Sequence, residues 1–337
     1  MLWLTLTASG QEKKAGFSFV DLPEEKRLEL HYDSLLLTAY CYYDSVKKPI
    51  LFPVKTISGI TVTRGYPIEP RAGERTDHPH HTGLWFTYES VNGFDFWNNS
   101  TAIPAERRAH YGTIVHDRIV KKTAAGKEAT LEESAQWKGP DQLPLLVENT
   151  QYRFQATDHA FIIDRTTTLR ALQPVKFKDI KDGLLGIRVA RELELPSEDS
   201  IDYLDTNGAI VRGRADGYQG VSGMYLSSEG LTGNDVWGTR ARWVTLKGKI
   251  NDKNISITII DHRDNPGYPA YWHARGYGLF AVNPLGQAVF SQGKESLDLT
   301  LERTEAVTFR YRVMIHEGPE LSAEQIDKMA LQFGRGL

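Results

Sequence analysis

Hydrophobic and polar residues alternate along much of the chain with a period of two, which is typical of β-strands with one buried face. The clearest example is Ala306–Ile315, where the apolar face is formed by Val307, Phe309, Tyr311 and Val313. The same pattern predicts further strands at Phe17–Leu22, Arg27–Tyr32, Leu35–Tyr42, Ile50–Thr56, Thr113–Lys121, Glu148–Thr157, Phe161–Leu172 and Ile255–Asp261. Turn-forming Gly, Asn and Asp residues separate the runs. The sequence therefore predicts an all-β fold of antiparallel hairpins.

One helix is predicted, near the C-terminus. Its apolar residues recur at helical spacing: Ile326, Met329, Ala330 and Phe333. Ser322 and Gln325 have the spacing of a capping box, and Gly334 can end the helix. No linker-like stretch divides the chain. We therefore expect residues 16–337 to form a single large antiparallel β-sandwich domain, with this helix at its margin.

Composition narrows the function classes. The 337 residues carry a net charge of -3, which argues against nucleic acid or an anionic membrane as the main partner. The single cysteine, Cys41, excludes an intrachain disulfide and a zinc site built from several cysteines. No segment has the ~20 apolar residues of a membrane-spanning helix. Residues 1–15 resemble the end of a signal peptide, which predicts a periplasmic or secreted protein. The alternative is a first β-strand in a cytoplasmic protein.

Two long loops interrupt the strand pattern, Arg64–Leu84 and Asp261–Tyr277. The first loop contains three histidines in four residues, His78, His80 and His81, directly after Asp77. Imidazole groups can act as general acid or base near neutral pH, and the Asp77 carboxylate can orient one of them. The second loop contributes His273. We predict His80, His81, His273 and Asp77 as catalytic residues.

The same segments supply candidate ligand-binding groups, since aromatic faces beside polar side chains suit sugar rings. The predicted substrate-binding residues are Arg75, Asn92, Trp97, Asp261, His262, Trp272, Arg275, Tyr277 and Asn283. Arg75 or Arg275 could hold a carboxylate by two parallel hydrogen bonds. The chain contains no nucleotide-binding glycine loop, phosphate loop, metalloprotease motif or nucleophile elbow.

Four motifs resemble those of the bacterial PmoA-like proteins, a family named for its likeness to a methane oxygenase: DHPHHTGL at Asp77, VNGFDFW at Val91, WHARGYGLFA at Trp272, and Asn283-Pro284. The resemblance extends over nearly the whole chain, although Thr82 stands where the family often has arginine. Methane oxidation does not follow from it, because the oxygenase subunit spans a membrane. The large β architecture is similar to the galactose-mutarotase type of supersandwich found in sugar-active enzymes.

Three functions remain open from the sequence. The first is a carbohydrate-active enzyme, an epimerase, hydrolase or lyase acting on a small sugar or glycoside without a cofactor. The second is a metal-dependent enzyme in which His78 and His80 bind a divalent ion and His262 or His273 completes the shell. The third is a non-catalytic sugar-binding sandwich. For the first, we expect the two loops to meet in one cleft, with His80 and His81 within roughly 10 Å of His273.

Overall fold

The computed structural model describes residues 16–213 and 220–335, and almost all of its regular structure is β-strand. The predicted signal-peptide remnant at residues 1–15 lies outside the described residues. The strands are β1 (Phe17–Leu22), β2 (Arg27–Tyr32), β3 (Leu35–Cys41), β4 (Ile50–Val54), β5 (Leu84–Tyr88), β6 (Thr113–Ala125), β7 (Glu128–Lys138), β8 (Pro144–Ala156), β9 (Ala160–Ala171), β10 (Val175–Phe177), β11 (Gly183–Arg188), β12 (Ile201–Leu204), β13 (Ile210–Gly213), β14 (Met224–Ser227), β15 (Trp243–Ile250), β16 (Lys253–Asp261), β17 (Tyr271–Ala274), β18 (Leu279–Asn283), β19 (Leu299–Leu301) and β20 (Ala306–Glu317).

The helical elements are short and lie outside the sheets. The α-helices are α1 (Gln287–Phe290) and α2 (Ala323–Phe333), and single 3₁₀ turns lie at Pro23–Glu25, Ala105–His110, Arg191–Leu193 and Gly233–Val236. In the part of the chain that the structure describes, no helix is long and apolar enough to cross a membrane.

Two eight-stranded sheets form the body of the protein. Sheet 1 has the order β1-β2-β3-β4-β5-β11-β18-β17, and sheet 2 has the order β14-β15-β16-β20-β9-β8-β7-β6. Pairings within both sheets are antiparallel, as between β11 and β18 or between β16 and β20. The prediction of an all-β antiparallel sandwich with a C-terminal helix is confirmed; α1 is a short additional helix.

The main core fills the space between the inner faces of the two sheets. Phe86 of sheet 1 contacts Trp137 and Phe309 of sheet 2, with ring centroids 6.4 and 5.9 Å apart. Phe309 and Tyr311 are fully buried, as the period-two pattern of β20 predicts.

Helix α2 packs on the outer face of sheet 2. Its Ile326 and Phe333 join Trp243 and Ile260 of the sheet in a separate apolar cluster. The capping box between Ser322 and Gln325 is present, which confirms the predicted start of the helix.

A buried polar network lies between the sheets. Glu148 and Arg165 form an ion pair of 2.6 Å, and the Tyr40 hydroxyl donates to Glu133 at 2.9 Å. Burial, together with the charge of Glu148, raises the pKa of Glu133 to about 8, although Arg165 opposes the shift. Glu133 is therefore protonated in the native protein at neutral pH.

This protonation makes stability depend on pH. Between the ordinary glutamate pKa and pH 8 the native state holds a proton that the unfolded chain has released, so the free energy of unfolding falls as pH rises. Glu133→Gln removes this dependence. From pH 5.5 to 7.5, urea denaturation should show the wild type losing about 2 kcal/mol relative to Glu133→Gln, at 1.36 kcal/mol per pH unit.

The control for this experiment is Glu132→Gln at the neighbouring position, which points to the outer side of the same strand. This variant should keep the pH dependence of the wild type. A difference between wild type and Glu133→Gln that stays constant over these two pH units would contradict the assignment of a buried, protonated Glu133.

Candidate active site

Both sequence-predicted loops lie over the outer face of sheet 1, where a second apolar cluster forms. Strands β3, β4, β5 and β18 contribute Ala39, Cys41, Ile50, Phe52, Trp85, Leu279 and Ala281. Trp97 comes from the loop that follows β5. The strand register places one row of outward-facing residues across the sheet: Cys41, Ile50, Trp85, Gly186, Ala281 and His273. Gly186 is required in this row, because a Cβ there would lie 2.8 Å from the Trp85 ring.

Four aromatic rings form a column on this face. Tyr277 stacks on His78 with centroids 5.1 Å apart, His78 stacks on His81 at 4.9 Å, and His81 stacks on Trp85 at 5.3 Å; the ring planes differ by 1°, 4° and 12°. The two loops therefore meet where His78 of the first contacts Tyr277 of the second.

Asp77 lies next to His78 of this column and binds two arginines. Its Oδ1 accepts from Arg64 at 2.9 Å and from Arg188 at 2.6 Å, and both guanidinium groups are buried, at 1% and 0% exposure. Burial alone would raise the pKa of Asp77, but the hydrogen bond to His78 and the charges of Arg188 and Arg64 outweigh it and hold the pKa far below its ordinary value. Asp77 is a permanent anion, so it cannot act as a proton carrier near neutral pH.

Arg64 also holds the backbone of the histidine loop. Its guanidinium donates to four carbonyl oxygens, those of Arg75, Asp77, His78 and His81, at 2.9–3.2 Å. Burial and the neighbouring Arg188 lower the pKa of Arg64 to about 9. One buried side chain thus sets the path of the loop that carries the three histidines.

His81 is a positioning residue rather than an acid or base. Its Nε2 accepts a hydrogen bond from Trp97 Nε1 at 3.2 Å, and its Nδ1 faces Arg188 at 3.4 Å. Burial and the charges around it lower the pKa of His81 well below its ordinary value. Because Nε2 already accepts from Trp97 and the buried ring stays neutral, the predicted catalytic role of His81 is not supported by its geometry.

His80 faces a different environment from its neighbours. Its ring meets His81 edge-on, with centroids 4.3 Å apart, and its Nε2 is buried without a hydrogen-bond partner. Burial and the nearby Lys48 lower the pKa of His80 to about 2. Lys48 donates to the His80 carbonyl at 2.9 Å. A neutral imidazole of this kind is not a general acid at neutral pH.

His273 lies beside the carboxyl group of Asp182, which in turn contacts that of Glu89. Its Nδ1 is 3.2 Å from Asp182 Oδ1, although outside the alignment of a good hydrogen bond, and Glu89 hydrogen-bonds to Asp182. Burial, then the charges of Asp182 and Asp95, raise the pKa of Glu89 to about 7. Burial would also raise the pKa of Asp182, but the contact with His273 lowers it. The three side chains can therefore share and pass one proton at neutral pH.

These groups occupy two parts of one sheet face. Trp85 and His273 lie in the same row with β11 and β18 between them, which puts their Cα atoms about 14 Å apart at the usual strand spacing. The histidine loop therefore meets the second segment at Tyr277 rather than at His273.

A cleft of about 440 Å³ opens on this face beside Tyr277 and Trp237. Its walls also include Arg75, Arg275, Asn234 and Asp199, with the chain at 195–197 on one side. Trp237 is 38% exposed, unusual for so large an apolar ring, and its ring lies 6.5 Å from that of His273. The Arg75 guanidinium is paired with buried Glu194 at 2.7 Å. The cleft therefore combines two aromatic walls with charged and amide groups.

A metal-dependent enzyme needs a set of metal ligands, and the described residues do not provide one. His78 and His80 are neighbours, with ring centroids 5.6 Å apart at 78°. Across residues 16–213 and 220–335, however, no three His, Cys, Asp or Glu side chains are grouped closely enough to hold a metal ion. His262 cannot complete such a site, because it contacts Phe333 of α2 on sheet 2.

Several predicted substrate-binding residues have structural roles instead. Asp261 lies at the end of β16 in sheet 2 and accepts hydrogen bonds from Asn265 and from the Ala270 backbone. His262 follows it under α2, away from the cleft. Trp272 points inward, fully buried in the main core, and donates to the Ala241 carbonyl. Each was predicted to bind substrate, and each is held where a ligand in the cleft cannot reach it.

The two predicted asparagines and Trp97 also stabilise the fold. Asn92 has φ of 52° in a tight turn, and its side chain bonds to the backbone of Pro174 and Lys176. Asn283 is fully buried and donates to the Ile180 and Lys181 carbonyls. Trp97 is buried against His81. Of the predicted binding residues, Arg75, Arg275 and Tyr277 line the cleft.

Several site residues were not predicted from the sequence. They are Lys48, Arg64, Glu89, Asp182, Arg188, Glu194 and Trp237. Arg64 begins the first predicted loop, and the others come from strand ends or turns with no motif around them. A charged residue next to an apolar strand, as in Asp182 before β11 or Arg188 at its end, is the only local indication.

Comparison with known proteins identifies one matching family and several solved structures with a similar fold. The model of a family of unknown function, DUF6807, matches residues 27–331. This overturns the resemblance to the PmoA-like proteins, which nothing in the comparison supports. No curated protein matches the chain at a significant level.

Solved structures match at 9–12% identity. The galactosidase domain of an alpha-galactosidase-sucrose kinase has a TM-score of 0.41 at 10% identity, over 89% of this chain and 42% of that one. A GH36 alpha-galactosidase from Geobacillus stearothermophilus has a TM-score of 0.37 at 11% identity, over 90% of this chain and 40% of that one. The galactose 1-epimerase of Lactobacillus acidophilus has a TM-score of 0.40 at 9% identity, over 91% of this chain and 100% of that one. The chain spans about two fifths of the first structures that it matches.

The ion pairs of Asp77 with Arg64 and Arg188 predict that Asp77→Asn strongly destabilises the protein. The substitution leaves two buried guanidinium groups without their shared counter-charge, which should lower the free energy of unfolding by about 2–4 kcal/mol. Urea denaturation at neutral pH measures this. The control is Asp158→Asn, which removes a solvent-exposed ion pair with Lys127 and should change the free energy of unfolding far less. Equal stability of the two variants would contradict the role given to Asp77.

Proposed function

The chain belongs to the DUF6807 family of unknown function, and we propose from its site that it is a carbohydrate-active enzyme that works by proton transfer. The observation that carries the proposal is the group formed by Glu89, Asp182 and His273, in which the His273 ring lies 6.5 Å from the Trp237 ring of the cleft wall. An epimerase, a hydrolase and a lyase all need a proton donor and a proton acceptor beside the sugar.

The cleft supports a sugar as the ligand. The exposed face of Trp237 can pack against the C–H face of a pyranose ring, and Tyr277 forms a second aromatic surface. Asn234 and Ser197 supply amide and hydroxyl groups for sugar hydroxyls. A volume of about 440 Å³ falls within the range of small-ligand pockets and can take one or two sugar units.

The carboxyl pair supports acid–base chemistry. Glu89 keeps its proton until about pH 7 because burial, and then the charges of Asp182 and Asp95, raise its pKa, so it can donate that proton at neutral pH. Asp182 is ionised and lies between Glu89 and His273. His273 is held mainly neutral, because burial lowers its pKa, and can accept a proton while Asp182 stabilises the imidazolium that forms. Two groups in contrasting environments thus fill the donor and acceptor roles.

The histidine column contributes position and not proton transfer. His78 and His81 lie between Tyr277 and Trp85, and Asp77 with its two arginines holds the loop that carries them. We infer that the column fixes the orientation of Tyr277 and therefore the width of the cleft.

Turnover on a panel of free sugars and glycosides tests the proposal. Once a substrate is found, Glu89→Gln and His273→Gln should each lower kcat by ~100-fold or more, as is typical for losing a general acid or base. In the wild type, kcat/KM should fall as pH rises above about 7, since Glu89 then loses its proton; Glu89→Gln should lose this alkaline limb. Adding a chelator should leave turnover unchanged.

His159→Gln, an exposed histidine before β9, is the matched control and should keep wild-type turnover. Melting temperatures of all three variants separate a catalytic loss from unfolding. Sugar binding without turnover across the panel would refute catalysis and favour the sugar-binding sandwich. Loss of turnover on chelation, with recovery on adding a divalent metal, would favour the metal-dependent enzyme.

A further inference from the structure

One arginine of the cleft, Arg275, lies between two aromatic rings. Arg275 lies in the turn between β17 and β18, and its side chain is exposed. Its guanidinium carbon lies 5.4 Å from the Trp237 ring centroid and 5.8 Å from that of Tyr277. Within the described residues, the guanidinium makes no hydrogen bond and no ion pair. The two rings therefore hold a charged group at the cleft with its N–H donors unused.

The backbone under this side chain is firmly placed. The Arg275 N–H donates to the Leu279 carbonyl at 2.8 Å, and its own carbonyl accepts from the Gly278 N–H at 3.0 Å. The Tyr225 hydroxyl donates to the same carbonyl at 3.3 Å. The position of Arg275 is thus set by a tight hairpin, so a ligand would meet a group that is already in place.

The other guanidinium groups around the cleft already have acidic partners. Arg75 is paired with Glu194, and Arg64 and Arg188 share Asp77. The remaining acid in the wall, Asp199, accepts a hydrogen bond from the Ser197 hydroxyl at 2.8 Å. Among the described residues, Arg275 is therefore the arginine of the cleft wall whose guanidinium stays available to a ligand.

We propose that the sugar bound in this cleft carries a carboxylate, and that Arg275 binds it; this rests on the proposed function. A uronic acid fits the arrangement, because its ring can pack on Trp237 while its planar carboxylate meets the flat fork of the guanidinium with two parallel hydrogen bonds. Arg275 is the specificity-determining residue in this assignment.

Titration calorimetry with matched glycosides tests the proposal. The probes are methyl β-D-glucuronide and methyl β-D-glucoside, together with the corresponding galacto pair, which differ only in a carboxylate against a hydroxymethyl group. We expect the wild type to bind at least one uronide about tenfold or more tightly than its neutral partner, with an advantage that shrinks as salt rises. Glucose 6-sulfate, a tetrahedral anion, should not share this advantage.

Variants locate the carboxylate. Arg275→Gln should bring the affinity for the uronide down to that for the neutral glycoside, and Arg275→Lys should restore only part of the difference, because it keeps the charge but not the fork. Arg303→Gln, an exposed arginine between β19 and β20, is the control and should keep the full preference. Arg275 and Arg303 are both exposed, so the melting temperatures of the three variants should stay at the wild-type value.

The outcomes distinguish a failure of the carboxylate proposal from a failure of the proposed function. Equal binding of neutral and acidic glycosides, or equal binding of the 6-sulfate, would overturn the carboxylate assignment and leave the proposed function standing. A uronide preference that survives Arg275→Gln would overturn the role of Arg275. Binding of no glycoside, neutral or acidic, together with no turnover on the sugar panel, would overturn both.

Discussion

The carboxylate of Asp77 is the counter-charge for two guanidinium groups that are almost wholly removed from water, and the outer face of sheet 1 is organised around it. Arg64 and Arg188 would repel each other in a medium of low polarity without that shared anion. Arg64 in turn binds the carbonyl groups of the histidine loop. The ring column from Trp85 to Tyr277 follows from this arrangement, and Tyr277 forms one wall of the cleft.

The same sheet face holds carboxyl groups in two opposite states. Asp77 is held by two arginines and stays ionised, whereas burial and the charges of Asp182 and Asp95 raise the pKa of Glu89 to about 7. Burial acts in the same direction on both groups, and the sign of the neighbouring charges makes the difference between them. One end of the face is therefore fixed in charge and suited to positioning, and the other end can exchange a proton.

Local pattern predicted the fold well and the site only in part. The alternation in β20 and the capping box of α2 depend on neighbours in sequence, so both could be identified directly. His273 and Trp272 show what the same period of two implies for a site: successive strand residues face opposite sides, so Trp272 enters the core while His273 faces outward. The alternation alone therefore distinguishes the two residues.

Other parts of the site depend on pairing between distant strands. Arg188 follows Arg64 by more than a hundred residues, and Asp182 reaches Glu89 only because β11 pairs with β5. Asp261 and His262 misled the prediction, because a strand end in sheet 2 carries the same residue types as a loop over sheet 1. The most direct test is a crystal structure of the protein soaked with D-galacturonate. We predict a pyranose ring against Trp237, with its carboxylate on Arg275; a sugar bound elsewhere, with this cleft empty, would contradict the account.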